Sequence, residues 1–215
     1  STIFKSLIMS STCANEQLMR QRHCRIVLLV MWIAMNASVR LSAAADDGFT
    51  DLFNGRDLQG WVSIGPADAF NVRDSAIFST GAGPYPSWLR SEREYENFVF
   101  RFEYKTEGWY EGGVLLHAPL DGPGSKLGFK IHLRHEQKSY GLRSPGAIYD
   151  AAAPRSIANL PSGQWNYCEI KCDWPHLRVT LNDKLIHDIS MDTEAALRHR
   201  LRRGFIGIQN IGCRA

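Results

Sequence analysis

From Phe49 onward, apolar and polar residues alternate with a period of two. The segment "ENFVFRFEYKT" sets Phe98, Phe100, Phe102 and Tyr104 against Val99, Arg101, Glu103 and Lys105. "WNYCEIKCDW" sets Asn166, Cys168, Ile170 and Cys172 against Trp165, Tyr167, Glu169 and Lys171. "HLRVTLNDKLIHDIS" reads as a hairpin, with Leu177, Val179 and Leu181 inward and a turn at Asn182-Asp183. "GFIGIQN", Gly204 to Asn210, is a further apolar strand. Such segments, broken by Gly, Pro, Asn and Asp clusters, predict an all-β fold, an antiparallel β-sandwich or barrel. Only 192–203 reads as helical, with Asp192 or Thr193 as its cap.

The stretch "GGVLLHAPLDGPGSKLGFKIHLRHE", Gly112 to Glu136, carries the most chemistry. It reads as two strands around a Gly/Pro-rich loop. On the second strand Phe129, Ile131 and Leu133 point one way, and Lys130, His132 and Arg134 the other. In an antiparallel sandwich one face of each sheet packs inward and the other can meet water. The polar face is therefore either ordinary wetted surface or the floor of a site for a polar ligand. In the second case Arg101, Glu103, Lys130 and His132 are expected to converge in one groove.

The region before Phe49 has a different character. "RQRHCR", Arg20 to Arg25, is basic, and "IVLLVMWIAM", Ile26 to Met35, is apolar. Ala43-Ala44-Ala45 then precedes Asp46-Asp47. A basic start, a short apolar run and small residues before a cleavage point are the parts of a secretory signal peptide. The apolar run falls short of the ~20 residues that span a bilayer. Residues 19–45 are therefore read as a signal peptide, with Met19 as the start, and residues 1–18 as an artefact of the gene model. A single β-sandwich domain is expected over 46–215, truncated at its C-terminus, in a periplasmic or secreted protein.

Composition changes this picture little. Cys168 and Cys172, four apart on a predicted strand, lie about 13 Å from one another, too far to bridge. One of them could pair with Cys213; otherwise they are buried structural thiols. The formal net charge of +3 demands no acidic partner. The basic cluster "LRHRLRR", Leu197 to Arg203, reads as a solvated face, not a nucleic-acid surface. A membrane enters only through export.

Three segments together carry a family resemblance. They are "FTDLFNGRDLQGW" (Phe49 to Trp61), "GQWNYCEIKCDWPHLRVTLNDKLIHDI" (Gly163 to Ile189) and "GFIGIQNIG" (Gly204 to Gly212). They resemble the 3-keto-disaccharide hydrolase family, formerly a domain of unknown function. The resemblance implies a concanavalin A-like jelly roll, carbohydrate metabolism and chemistry on sugars oxidised at C3. A ketone at C3 acidifies the C2 proton, and the enolate left by its removal can expel the C1 substituent. Such a site needs a base near C2, a cation or hydrogen-bond donor at the C3 oxygen, and an acid at the leaving oxygen. The chain departs from the family pattern at Glu111-Gly112-Gly113, at His117, at Phe129-Lys130-Ile131-His132 and at Gln209-Asn210-Ile211-Gly212.

The candidate catalytic residues are His132, a base suited to neutral pH, then His117 and Glu103. Arg101, Lys130, Glu111 and Tyr149 are candidates for substrate binding. Trp109 and Tyr110, in a loop, could stack on the C–H faces of a sugar. No cofactor is demanded, although Glu111, His117 and His132 could together hold a divalent metal. The leading reading is an exported hydrolase or lyase that cleaves 3-keto-glycosides with base assistance. A non-catalytic carbohydrate-binding module, or a structural β-sandwich at the cell surface, would share the fold.

Overall fold

Period-two alternation becomes strand throughout the described part of the chain. The structure, a computed structural model, describes residues 2–10, 48–80 and 87–211. The expected signal peptide, 19–45, lies outside the described residues, as does Cys213. In chain order the strands are β1 (Thr2–Ser10), β2 (Thr50–Asp51), β3 (Trp61–Ile64), β4 (Phe70–Arg73) and β5 (Ala76–Ser79). Next come β6 (Ser87–Tyr95), β7 (Phe98–Thr106), β8 (Glu111–Ala118) and β9 (Phe129–Arg134). The last are β10 (Trp165–Asp173), β11 (His176–Leu181), β12 (Lys184–Ser190) and β13 (Gly204–Asn210). One helical turn, α1 (Gly124–Leu127), sits between β8 and β9.

These strands form two antiparallel sheets. One has eight strands in the order β12-β11-β10-β7-β1-β5-β4, with β2 paired to β1. The other has five, β3-β6-β13-β8-β9. The core lies between them. Phe98, Phe100, Phe102 and Tyr104 of β7 face Val114, Leu116, Phe129, Ile131, Leu133, Ile206 and Ile208 of the smaller sheet. Cys168 and Cys172 are free thiols in this core, and burial pushes Cys172 up to about 12. The β11–β12 hairpin turns at Asn182 and Asp183, both with positive φ (48° and 64°), as a type I′ turn requires. Buried Asn166, from the G-x-W-N motif, ties this corner together. Its Oδ1 accepts from the Leu160 N–H (2.7 Å) and from Asn182 Nδ2 (2.8 Å).

Two segments depart from expectation. Thr2–Ser10, read from sequence as lying outside the fold, is an internal strand between β7 and β5. Its Phe4, Leu7 and Met9 are buried in the core, so the sandwich extends beyond residues 46–215. The stretch 192–203 is a series of turns with no continuous helix. Its backbone is drawn off to the turn before β9. There Leu201 N–H donates to Leu127, and the Arg200 guanidinium donates to the carbonyls of Ser125 and Gly128. Asp192 accepts from Ser190 Oγ and caps nothing.

Candidate active site on the outer face of the five-stranded sheet

The register of the smaller sheet places two rows of side chains on its outer face. One runs Trp88–Gln209–Gly113–His132 and the other Arg90–Gly207–Leu115–Lys130. Each row contains a glycine, and both glycines are needed. A Cβ on Gly207 would lie 2.6 Å from Trp88 Cε3, and one on Gly113 would meet the Ile131 carbonyl oxygen and, at 2.9 Å, Lys130 Cγ. Without those methyls the indole packs over Gly207 and the lysine stem over Gly113. Beside them is a depression of about 200 Å³, lined by Trp88, Leu115, Gln209 and residues 122–125 among others.

At the β9 edge a loop roofs this floor. Gly146 N–H donates to the His132 carbonyl (2.7 Å), His132 N–H to the Ala147 carbonyl (2.9 Å) and Tyr149 N–H to the Lys130 carbonyl (2.9 Å). The loop is held from below by buried His187 of β12, whose Nε2 donates to the Gly146 carbonyl (2.8 Å). The polar face of β9 is thus not wetted: Lys130 is 2% exposed and His132 0%.

His132 Nδ1 donates to the Arg143 carbonyl (3.0 Å). Its Nε2 therefore carries the lone pair, and that atom is buried with no hydrogen-bond donor. Glu111 Oε1, on a side chain 23% exposed, is 3.2 Å from it. Burial first, then the charge of Lys130, push the imidazole down to about 3, with Arg134 and Arg143 acting the same way against the Arg143 carbonyl bond. Burial thus favours the neutral ring. Arg134 Nη1 stands 3.8 Å from Glu111, and its other end donates to Glu136 (2.7 Å). Tyr149 meets the His132 ring edge-on, with centroids 4.9 Å apart. Lys130 Nζ lies 3.6 Å from the Tyr149 centroid. Burial draws this amine down to about 8, partly opposed by Glu111 and Asp150. Asp150 is itself ion-paired to Arg143 (2.9 Å).

Of the residues singled out from sequence, Glu111, Lys130, His132 and Tyr149 come together. The others do not join them. Arg101 and Glu103 lie on the outer face of the other sheet, because β7 belongs to that sheet. There Arg101 pairs with Glu169 (2.7 Å), and Glu103 stands 3.7 Å from Lys5. His117 is in the core. A β-bulge where β8 meets β13 inserts an extra residue, and His117, at φ 49°, turns inward against Phe98 and Phe129. Its ring nitrogens face the carbonyls of Glu96 (2.7 Å) and Leu201 (3.1 Å). Glu111, His117 and His132 therefore do not assemble as a metal site. Among the described residues no three His, Cys, Asp or Glu side chains cluster for one. Tyr110 is a buried anchor whose hydroxyl donates to the Gln209 carbonyl (3.0 Å). Trp109, 50% exposed, stands at the rim beside His135.

Sequence reasoning missed Trp88, Gln209, Arg134 and Arg143 as site residues. Trp88 had a readable signal, since in "SWLRS" it alternates with Leu89 exactly as a face-out residue does. Arg143 had none, because its loop is placed by partners distant in sequence.

A family model for the 3-keto-alpha-glucoside-1,2-lyase-like domain matches residues 48–214. No curated protein matches the chain. Among solved structures, a Parabacteroides distasonis "putative glycosyl hydrolase" is similar at 20% identity with a TM-score of 0.65, covering 76% of this chain and 87% of that one. A second from the same organism has 19% identity and a TM-score of 0.60, over 69% and 90%. The carbohydrate-binding module CBM66 from Bacillus subtilis shares the fold at 10% identity with a TM-score of 0.52, over 71% and 88%.

Proposed function

The chain belongs to the 3-keto-alpha-glucoside-1,2-lyase-like family, and on that premise we propose that it cleaves 3-keto-glycosides by removing the C2 proton. Glu111 is the base. The carboxylate stands at the mouth of the cluster, whereas His132 lies behind it and cannot meet substrate directly. His132 is a positioning residue with a preset tautomer. Its Nδ1–H is committed to the Arg143 carbonyl, so its Nε2 lone pair can only accept. While Glu111 is ionised, that lone pair has no donor. Once Glu111 has taken the C2 proton, its new O–H, with Oε1 3.2 Å from Nε2, can swing round to donate to that lone pair. The hydrogen bond exists only after proton transfer, and such differential stabilisation lowers a barrier without tightening substrate binding.

The buried, donorless Nε2 of His132 is the observation that carries this reading. The C3 carbonyl falls to Lys130, two residues from His132 on the same face of β9. Trp88, packed over Gly207, and Trp109, at the rim, are the aromatic rings available to the sugar. Export to the periplasm or beyond remains part of the proposal through the signal-like segment 19–45.

The test is to offer a 3-keto-α-glucoside and the same glycoside unoxidised. Cleavage of the oxidised one alone is expected, because only the ketone acidifies C2. Equal cleavage of both would contradict the reading. Saturable binding with no turnover of either would favour a carbohydrate-binding module, a role consistent with the CBM66-like fold.

A further inference from the structure

Lys130 is hard to account for as a structural lysine. Lysines that are largely buried normally pair with a carboxylate or reach water with the amine. Lys130 has no such carboxylate and is only 2% exposed. Among the described residues it makes no hydrogen bond or ion pair, and its ammonium position is filled by the face of Tyr149 at 3.6 Å. Its stem passes over Gly113, where a Cβ would meet both the Ile131 carbonyl oxygen and the lysine Cγ. Removing an amine from water favours the uncharged form, and here burial outweighs the opposing charges of Glu111 and Asp150. That is the form that attacks carbonyls, as in lysines activated by desolvation. The amine lies down to about 8 for that reason, so an appreciable fraction is neutral near neutral pH.

We propose that Lys130 acts on the substrate ketone covalently, as an imine-forming nucleophile. This rests on the reading of the site as one for 3-keto-glycosides. The Nζ lone pair adds to C3 and the carbonyl oxygen takes a proton, giving a carbinolamine. Loss of water leaves a protonated imine. Glu111 then removes the C2 proton and the electron pair moves into the C2–C3 bond, neutralising the iminium as an enamine. Its return drives out the C1 oxygen substituent, which leaves with a proton as the alcohol. The C1–C2 double bond formed is conjugated to the iminium. Water adds at C3, the amine departs, and the unsaturated keto sugar is released with Lys130 restored. No redox partner is needed. The iminium is a stronger electron sink than the ketone, which suits a carboxylate base of modest strength. Tyr149, half-buried on the roofing loop, is the side chain that must move to admit C3.

The experiment adds sodium cyanoborohydride to the unmodified protein during turnover of a 3-keto-α-glucoside and maps the adduct by peptide mass spectrometry. A reduced sugar adduct on Lys130, with activity lost in step, is expected. Lys130→Arg, which keeps the cation but not the nucleophile, should give no adduct. Its turnover should fall at least about a hundredfold, on the scale of other positioned catalytic groups, while its melting temperature stays near the parent's. Turnover by the parent with no adduct on Lys130, or full turnover by Lys130→Arg, overturns the imine and leaves the substrate reading intact. A parent that leaves the keto-glycoside untouched overturns both.

Discussion

The outer faces of the two sheets are built from the same alternation and behave in opposite ways. On the eight-stranded sheet Arg101, Glu103, Lys105 and Glu169 are partly exposed and satisfied by neighbours. Trp165 lies there between Lys5 and Lys105, at 4.4 and 5.3 Å. On the five-stranded sheet Lys130 and His132 are buried, the imidazole has a donorless nitrogen, and Trp88 lies on a glycine. One face spends its charges on each other in water, where pairs are worth ~0–1 kcal/mol. The other withholds partners under a roof, where unsatisfied groups keep chemistry in reserve. Polarity of a strand face is thus a poor guide to function until its cover is known.

The largest effect should come from the sheet that carries the satisfied face. Deleting residues 1–45 removes β1 with Phe4, Leu7 and Met9. It also strips β7 and β5 of a shared partner. Bared internal edges invite association, and losing several core side chains costs about 2–5 kcal/mol each. Thermal melting and size-exclusion chromatography should show a destabilised, self-associating protein. A truncated chain as stable and monodisperse as the full one would mean that β1 is dispensable.

Next in size is a matched pair of carboxylates. Glu111→Gln should lower turnover of a 3-keto-glycoside by ~10²–10⁴, the usual worth of a general base, with little change in substrate affinity. Glu103→Gln, on the other sheet, should leave turnover within about twofold. Equal losses in both would erase the distinction between the faces.

Acid should distinguish them too. His117, His132 and His187 are all held below the ordinary histidine range, chiefly by burial. Unfolded histidines take protons near pH 6.5, and His132 in the fold does so only near 3. In that window the unfolded state binds more protons, so stability present above about pH 6.5 is lost as pH falls. Chemical denaturation from pH 7 to 4 should show the loss, and His132→Gln should make it shallower. An unchanged slope would place the acid sensitivity elsewhere. The smallest effect is expected of Arg101→Ala, about 1 kcal/mol or less in the same assay.

The fold was largely legible because period two is a local property. β7, β10, the β11–β12 hairpin and β13 could be read from their own residues, and the Asn182-Asp183 turn from its composition. The site was legible only in part. Lys130 and His132 announced themselves by alternation, and Glu111 by its place at the start of β8. His117 misled because a bulge cannot be seen in the pattern, and one inserted residue exchanges the faces. Arg101 and Glu103 misled because alternation gives the face of a strand but not the sheet to which it belongs. The roof over β9 depends on Gly146 bonding to both His132 and His187, a contact no local signal encodes. β1 went unread because its nine residues precede a segment with the marks of a removable leader.

The central claim is that sugar binds the outer face of the five-stranded sheet, and each sheet carries a tryptophan that reports on it. The most direct measurement is a nuclear magnetic resonance titration with an oxidised glycoside that cannot be cleaved, following indole and backbone N–H signals. The account predicts shifts at the Trp88 indole, at Gly113 and at His132, with Trp165 and Tyr167 unmoved. Shifts confined to Trp165 and Tyr167, with Trp88 and Gly113 silent, would contradict it.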